Sequence, residues 1–335
     1  MNQMVPRPQF WAETADQMKT HFSVLGELLI FFLLFVISLL AQSVILTIPM
    51  TAWMMGTQSN SVMEAVLGGV SMEQFAREIM AKMPDWMSLM QLFASAIMGV
   101  TAVVYSRAFQ KRSFAAMGLR GRARILEYLA GFAVGLVLFA AVVALGAAAG
   151  GFRLLAGAPS ERQRTLCLIA LLGCAVHGAA LELLIRGCFA PSLGARYPVV
   201  FALLLSSITP SMLQAGETLF SMTTLNSLLL GLFLGIWVIK RGRLWGACAI
   251  HAAWTFAGSF LFGLTGEGEY GDIRLLNVAS DVYRPLLTGG DRGAQASICV
   301  TVVLLAAIAG VLALRAKEPA PPRKPEQTDR PANFL

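Results

Sequence analysis

The chain has 335 residues, 56% of them hydrophobic and only 13% charged, with a formal net charge of +7 and a mean hydropathy of +0.67. These proportions exclude a water-soluble globular domain, because so little polar surface cannot cover so much apolar area. The positive balance calls for no nucleic acid; cytoplasmic loops facing anionic membrane lipid account for it.

Residues 1–21 are polar and mixed in charge, and read as an exposed cytoplasmic arm. Beyond them the apolar residues come in blocks of about twenty, the length a helix needs to cross a hydrocarbon core, and no segment alternates as a membrane-barrel strand would. The first block, Phe22 to Ile48, is too long and too far behind the arm to be a cleavable signal, so it reads as a retained span with Glu27 at an interface. Residues 51 to 85 interleave Glu64, Glu73, Arg77, Glu78 and Lys82 with Val62, Val66, Val70, Phe75 and Met80, the pattern of an amphipathic surface helix. Further spans are expected near Trp86 to Tyr105, Leu126 to Ala149, Leu166 to Ile185, Val199 to Leu213, Leu225 to Ile239, Leu244 to Leu264 and Ile298 to Leu314. The fold class is therefore all-α, a polytopic transmembrane bundle of about eight helices occupying residues 22–314. The fifth and sixth spans are short, which favours a polar cavity beside them over lipid.

Lysines and arginines gather on one side of this bundle, among them Arg107, Lys111, Arg120, Arg196, Lys240 and Arg243, whereas the opposite loop from Gly266 to Asp291 balances arginines with acids. That asymmetry places both termini in the cytoplasm, with the chain in the plasma (inner) membrane. Residues 315–335 are rich in proline and charge and read as a disordered basic tail. The five cysteines show no paired spacing and read as packing residues. Glycine pairs Gly131/Gly135 and Gly231/Gly235 let helices approach closely within the bundle.

Ionisable groups inside spans are few. Glu182 and Arg186 lie four apart on one helical face and are expected to pair. His177 and His251 fall in spans as well, His177 one turn before Leu181. With three histidines in the chain and no paired-ligand spacing, no metal site and no cofactor is expected. Serine–histidine catalysis lacks its elbow motif and no phosphate loop appears.

The segments Leu181 to Gly187, Pro210 to Gln214 and His251 to Thr255, in that order, resemble the three motifs of the CAAX protease and bacteriocin-processing family, the Abi or CPBP family of membrane-embedded glutamic proteases. Arg243-Leu244-Trp245 and the glycine-bearing stretch Leu225 to Arg241 fit the same frame, as does the lead-in from Arg112 to Arg122, so the resemblance covers a core of about 112–264. It implies a set of motif residues, Glu182, Arg186, Gln214, His251 and Thr255, around one pocket. It also implies that a glutamate should stand at position 181 as general base for water, a histidine at 214 and an asparagine at 255. The chain has Leu181, Gln214 and Thr255 instead. Leucine can neither take a proton nor orient water, and a general base contributes about 10² to 10⁴ in rate. Gln214 is still able to donate to an oxyanion, and Thr255 to bond His251. Adjacent helical residues point about 100° apart, so Glu182 is expected to face away from the site that Leu181 occupies.

The resulting expectation is a pseudoprotease that binds a membrane-borne peptide or partner protein. An active endopeptidase for prenylated or membrane peptides, with a variant site built on His177 or Glu182 and His251, is the alternative. A small-solute transporter is a third reading, for which no inverted repeat speaks.

Overall fold

The computed structural model describes residues 7–19, 22–121, 124–213, 220–265, 270 and 272–313. The expected basic tail lies outside them. The fold is an all-helical membrane bundle, and among the described residues five helices are long and apolar enough to cross a membrane: Val24–Thr57, Asp85–Phe109, Arg124–Ala148, Glu161–Arg196 and Met222–Arg241. Val199–Leu213 and Ile298–Ala313 are shorter apolar helices. The remaining expected span, the seventh in chain order, is a helix, Trp245–Phe256, continued by a π-helical turn, Ala257–Leu261.

In chain order the α-helices are α1 (Gln9–Gln17), α2 (Val24–Thr57), α3 (Ser59–Val66), α4 (Met72–Lys82), α5 (Asp85–Ala94), α6 (Ala96–Val104), α7 (Arg124–Ala148), α8 (Glu161–Glu182), α9 (Ala190–Arg196), α10 (Val199–Leu213), α11 (Met222–Arg241), α12 (Trp245–Phe256), α13 (Pro285–Thr288) and α14 (Ile298–Ala313). Their ends follow local chemistry. Ser23 caps α2 by accepting from Gly26 N, Ser160 and Gln163 form a capping box on α8, and Gly242, at φ +67°, closes α11 in a left-handed turn. The segment expected as one surface helix is two short ones, α3 and α4, because Gly68 at φ +75° ends the first.

Helix α12 runs through the middle of the bundle, with α7 on one side and α8 on another. The contact is backbone to backbone: a Cβ on Gly131 would run into Gly246 O, and one on Gly178 would meet Cys248 O at 2.8 Å. Leucines and isoleucines point the other way, with Leu25, Leu29 and Leu40 of α2, Ile125 and Leu126 of α7 and Leu168 and Leu172 of α8 all exposed toward the surroundings a bilayer would supply.

Two regions differ from what the sequence suggests. The amino-terminal arm is not free: Phe10 and Trp11 of α1 are buried, the Thr14 hydroxyl donates to Ala116 O at 2.9 Å, and Gln17 Oε1 accepts from Ser113 N at 2.7 Å. Two aromatic rings in a polar segment suffice to dock it, and Glu13 pairs with Arg120 at the same seam. Glu27, expected at an interface, is buried, with the fully buried Arg112 supplying opposite charge. Arg112 itself donates to Ser106 Oγ at 2.7 Å.

A short antiparallel ladder, β1 (Phe152–Leu154) with β2 (Val278–Ser280), joins the α7–α8 connection to the long segment between α12 and α14. That segment folds back on the bundle. Ala294 N donates to Leu264 O at 2.8 Å and Leu276 N to Leu261 O at 2.8 Å, so its two ends are stitched together at the end of the α12 rod.

Candidate functional site

A cavity of about 310 Å³ lies within the bundle, walled by residues of α7, α8, α10, α11 and α12 and by the returning segment. Helix α8 contributes His177 and Leu181, with Ile185 and Arg186 following on the π-helical turn Leu183–Phe189. Helix α10 contributes Ser207, Pro210 and Ser211, α11 contributes Thr223, Ser227 and Gly231, and α12 contributes His251, Trp254 and Thr255. Leu181, Arg186, His251 and Thr255, drawn from two of the three motif segments, thus share one wall. The second motif reaches the same cavity through Pro210 and Ser211, while Gln214 lies outside the described residues.

Glu182 is completely buried and stands behind that wall. Its Oε1 accepts from Arg186 Nη1 at 3.1 Å and sits 2.9 Å from His251 Nδ1. The pairing with Arg186 follows from the i, i+4 spacing on one face. The bond to His251 does not, since it joins positions 69 apart and depends on how α8 and α12 cross. It takes the place of the bond to Thr255 anticipated for His251. An ionised carboxylate only accepts, so toward it Nδ1 is the donor, and Nε2 is the ring nitrogen that this bond leaves free. Arg186 uses a second donor on Gly231 O, at 2.7 Å, tying the π turn to α11.

A wide π turn directly after Glu182 shifts the rotational phase of the residues downstream, and turns of this kind gather at functional sites. His177 faces His251 edge-on, with ring centroids 5.9 Å apart. Several buried polar atoms around the cavity engage no partner among the described residues: His177 Nδ1, Glu182 Oε2, Arg186 Nε and Thr223 Oγ1. Buried polar groups are costly unless satisfied, so the cavity is suited to polar contents. Among the described residues its wall carries no carboxylate, and no group of three histidine, cysteine or acidic side chains is placed to hold a metal ion.

Some of the lining was not foreseeable from motif order. Ser207 and Ser211 repeat at i, i+4 beside Pro210, and Ser227 stands one turn before Gly231, a spacing that marks a polar stripe on each helix. Gln295 and Arg292 arrive from the returning segment, for which periodicity offers no signal.

Residues 163–257 match the family model described as type II CAAX prenyl endopeptidase Rce1-like. Over that stretch the chain is similar to the Rce1-like family. The match begins in α8 and ends just past α12, so the Rce1-like stretch carries Glu182, Arg186, Gln214, His251 and Thr255 and stops short of the returning segment with Gln295. No curated protein and no solved structure matches the chain.

Proposed function

We propose that this chain is a multi-pass protein of the plasma (inner) membrane, with both termini in the cytoplasm, that uses an Rce1-like core to bind a membrane-borne peptide or protein partner without hydrolysing it. The observation that carries this reading is the position of Leu181. In the alignment of motifs it occupies the place of the general base, and its side chain faces the cavity. Among the described residues the carboxylate beside it, Glu182, is not part of the lining and is engaged by Arg186 and His251. A hydrocarbon on the wall accepts no proton from water, so the step that activates the nucleophile has no agent there. The remaining lining suits binding: hydroxyls, an amide, two imidazoles and aromatic rings around a volume that admits a few residues of an extended chain. Orientation rests on the excess of lysine and arginine on one side of the bundle.

The Glu182 to His251 bond favours a second reading, an endopeptidase with a relocated base. A carboxylate that fixes one imidazole nitrogen leaves the other poised to take a proton, as in acid–histidine pairs that activate nucleophiles.

One assay separates the two. Purified protein is incubated with a panel of farnesylated tetrapeptides and single-span peptides, and products are followed by mass spectrometry beside a binding measurement. Saturable binding with intact peptide is expected. Turnover that disappears in His251→Ala overturns the pseudoprotease reading and establishes the second one.

A further inference from the structure

Gln295 enters the cavity from a single 3-10 turn, Ala294–Ala296, that belongs to the returning segment and lies beyond the Rce1-like stretch. Its side-chain orientation is fixed by chemistry. An indole N–H only donates, and Trp254 Nε1 meets Gln295 Oε1 at 3.1 Å, so the amide oxygen is the atom turned to the indole and the NH₂ group points elsewhere.

The backbone of the turn is held just as firmly. Asn226, fully buried on α11, donates through Nδ2 to Gln295 O at 2.8 Å and to Ser297 O at 2.9 Å, while its Oδ1 accepts from the Thr301 hydroxyl at 2.6 Å. One amide therefore fastens α11 to the turn and to α14. On the other side Gly293, at φ +68°, lets the segment approach Leu264 so closely that a Cβ there would run into Leu264 O. A side chain immobilised in this way has already lost the rotamer freedom that binding would otherwise cost.

Structural needs alone do not require a glutamine, because only its oxygen is used in holding Trp254. Gln295 lines a cavity whose described lining contains no carboxylate to receive its two amide hydrogens. Such a wall fits an occupant that brings its own acceptors.

We propose that Gln295 is a ligand-contacting residue, whose NH₂ donates a hydrogen bond to a backbone carbonyl of the bound membrane peptide. This assignment rests on the peptide-binding reading above. It makes the returning segment, and not only the Rce1-like helices, part of the binding site.

The test uses the full chain in detergent micelles and a dansyl-labelled farnesylated tetrapeptide titrated by fluorescence anisotropy. Gln295→Glu keeps an oxygen for Trp254 and the side-chain shape but exchanges the donor for an acceptor. It is expected to weaken binding by about tenfold at neutral pH with the melting temperature unchanged. Gln295→Leu, which loses the Trp254 bond too, weakens binding at least as much. Equal affinity of wild type and Gln295→Glu overturns the contact. A loss of affinity that tracks a fall in melting temperature in both variants also overturns it, assigning Gln295 to holding the segment in place. A wild-type protein that binds no peptide of the panel strikes the peptide-binding reading itself, a result distinct from either of these.

Discussion

Glu182 and His251, 69 positions apart in sequence, meet through a 2.9 Å hydrogen bond in the middle of the bundle. Arg186 holds the same carboxylate oxygen from the other side. A charge in this position is tolerated because it is shared, and the sharing can be measured.

Removing the carboxylate leaves a buried guanidinium without its counterion. Glu182→Ala is expected to cost about 3 to 5 kcal/mol of stability. The double variant Glu182→Leu with Arg186→Leu is expected to recover most of that loss, since a well-packed apolar pair often replaces a buried ion pair at little cost. Thermal melting of wild type, the two single leucine variants and the double variant in one detergent checks the expectation; additive losses would refute the pairing.

Placing an acid on the cavity wall tests the argument from Leu181. Leu181→Glu puts a carboxylate on the same wall as His251, at a cost in stability of about 3 kcal/mol. Cleavage of the farnesylated tetrapeptide is expected to rise by about 10² or more over wild type. Liquid chromatography with mass detection reads the product, and an inert Leu181→Glu protein that still folds would mean that the missing base is not what limits hydrolysis.

The contact between α7 and α12 predicts a large effect from a small change. Gly131→Ala drives a methyl into Gly246 O, against backbone that cannot rotate aside. A loss of about 1 to 3 kcal/mol is expected from such overpacking. Gly235→Ala meets only the movable tip of Leu203 and should cost less. Melting temperatures of the two variants, measured side by side, decide whether Gly131 packs within the bundle.

The docked amino-terminal helix makes its own prediction. Trp11 fills a cradle that exists because residue 194 has no side chain, a Cβ there colliding with the indole. Trp11→Ala should release α1 to protease and lower stability by about 3 to 5 kcal/mol. Gly194→Val should do the same, and the double variant should be no worse than either alone, because both remove one contact. Limited proteolysis followed by mass mapping of the amino-terminal residues reads the outcome.

The all-helical architecture was legible because apolar blocks of span length leave few alternatives, and the Glu182 to Arg186 pair because helical periodicity places i and i+4 together. Facing at the cavity was legible too: the step of about 100° between neighbours separates Leu181, on the wall, from Glu182, behind it. Periodicity says nothing about which helices cross, so the partnership of Glu182 with His251 could not be read. Gln295 was hidden for a different reason, since it sits in irregular backbone held by Asn226, and hydrogen bonds of that kind have no sequence spacing to betray them. The docking of α1 was missed because composition averaged over residues 1–21 masks the two aromatic rings that decide it.

The wide turn between α8 and α9 ties distant ends of the molecule to one rotational setting. Leu181 and Glu182 sit just above it, the Gly194 cradle for Trp11 just below, and the rod from Glu161 to Arg196 is otherwise continuous. Winding the same seven residues as ordinary α-helix would swing everything downstream by about a quarter turn, so that the buried carboxylate and the amino-terminal clasp cannot both stay in register. The width of this short stretch of backbone is therefore a constraint in its own right, beside the pairing that fixes Arg186 within it.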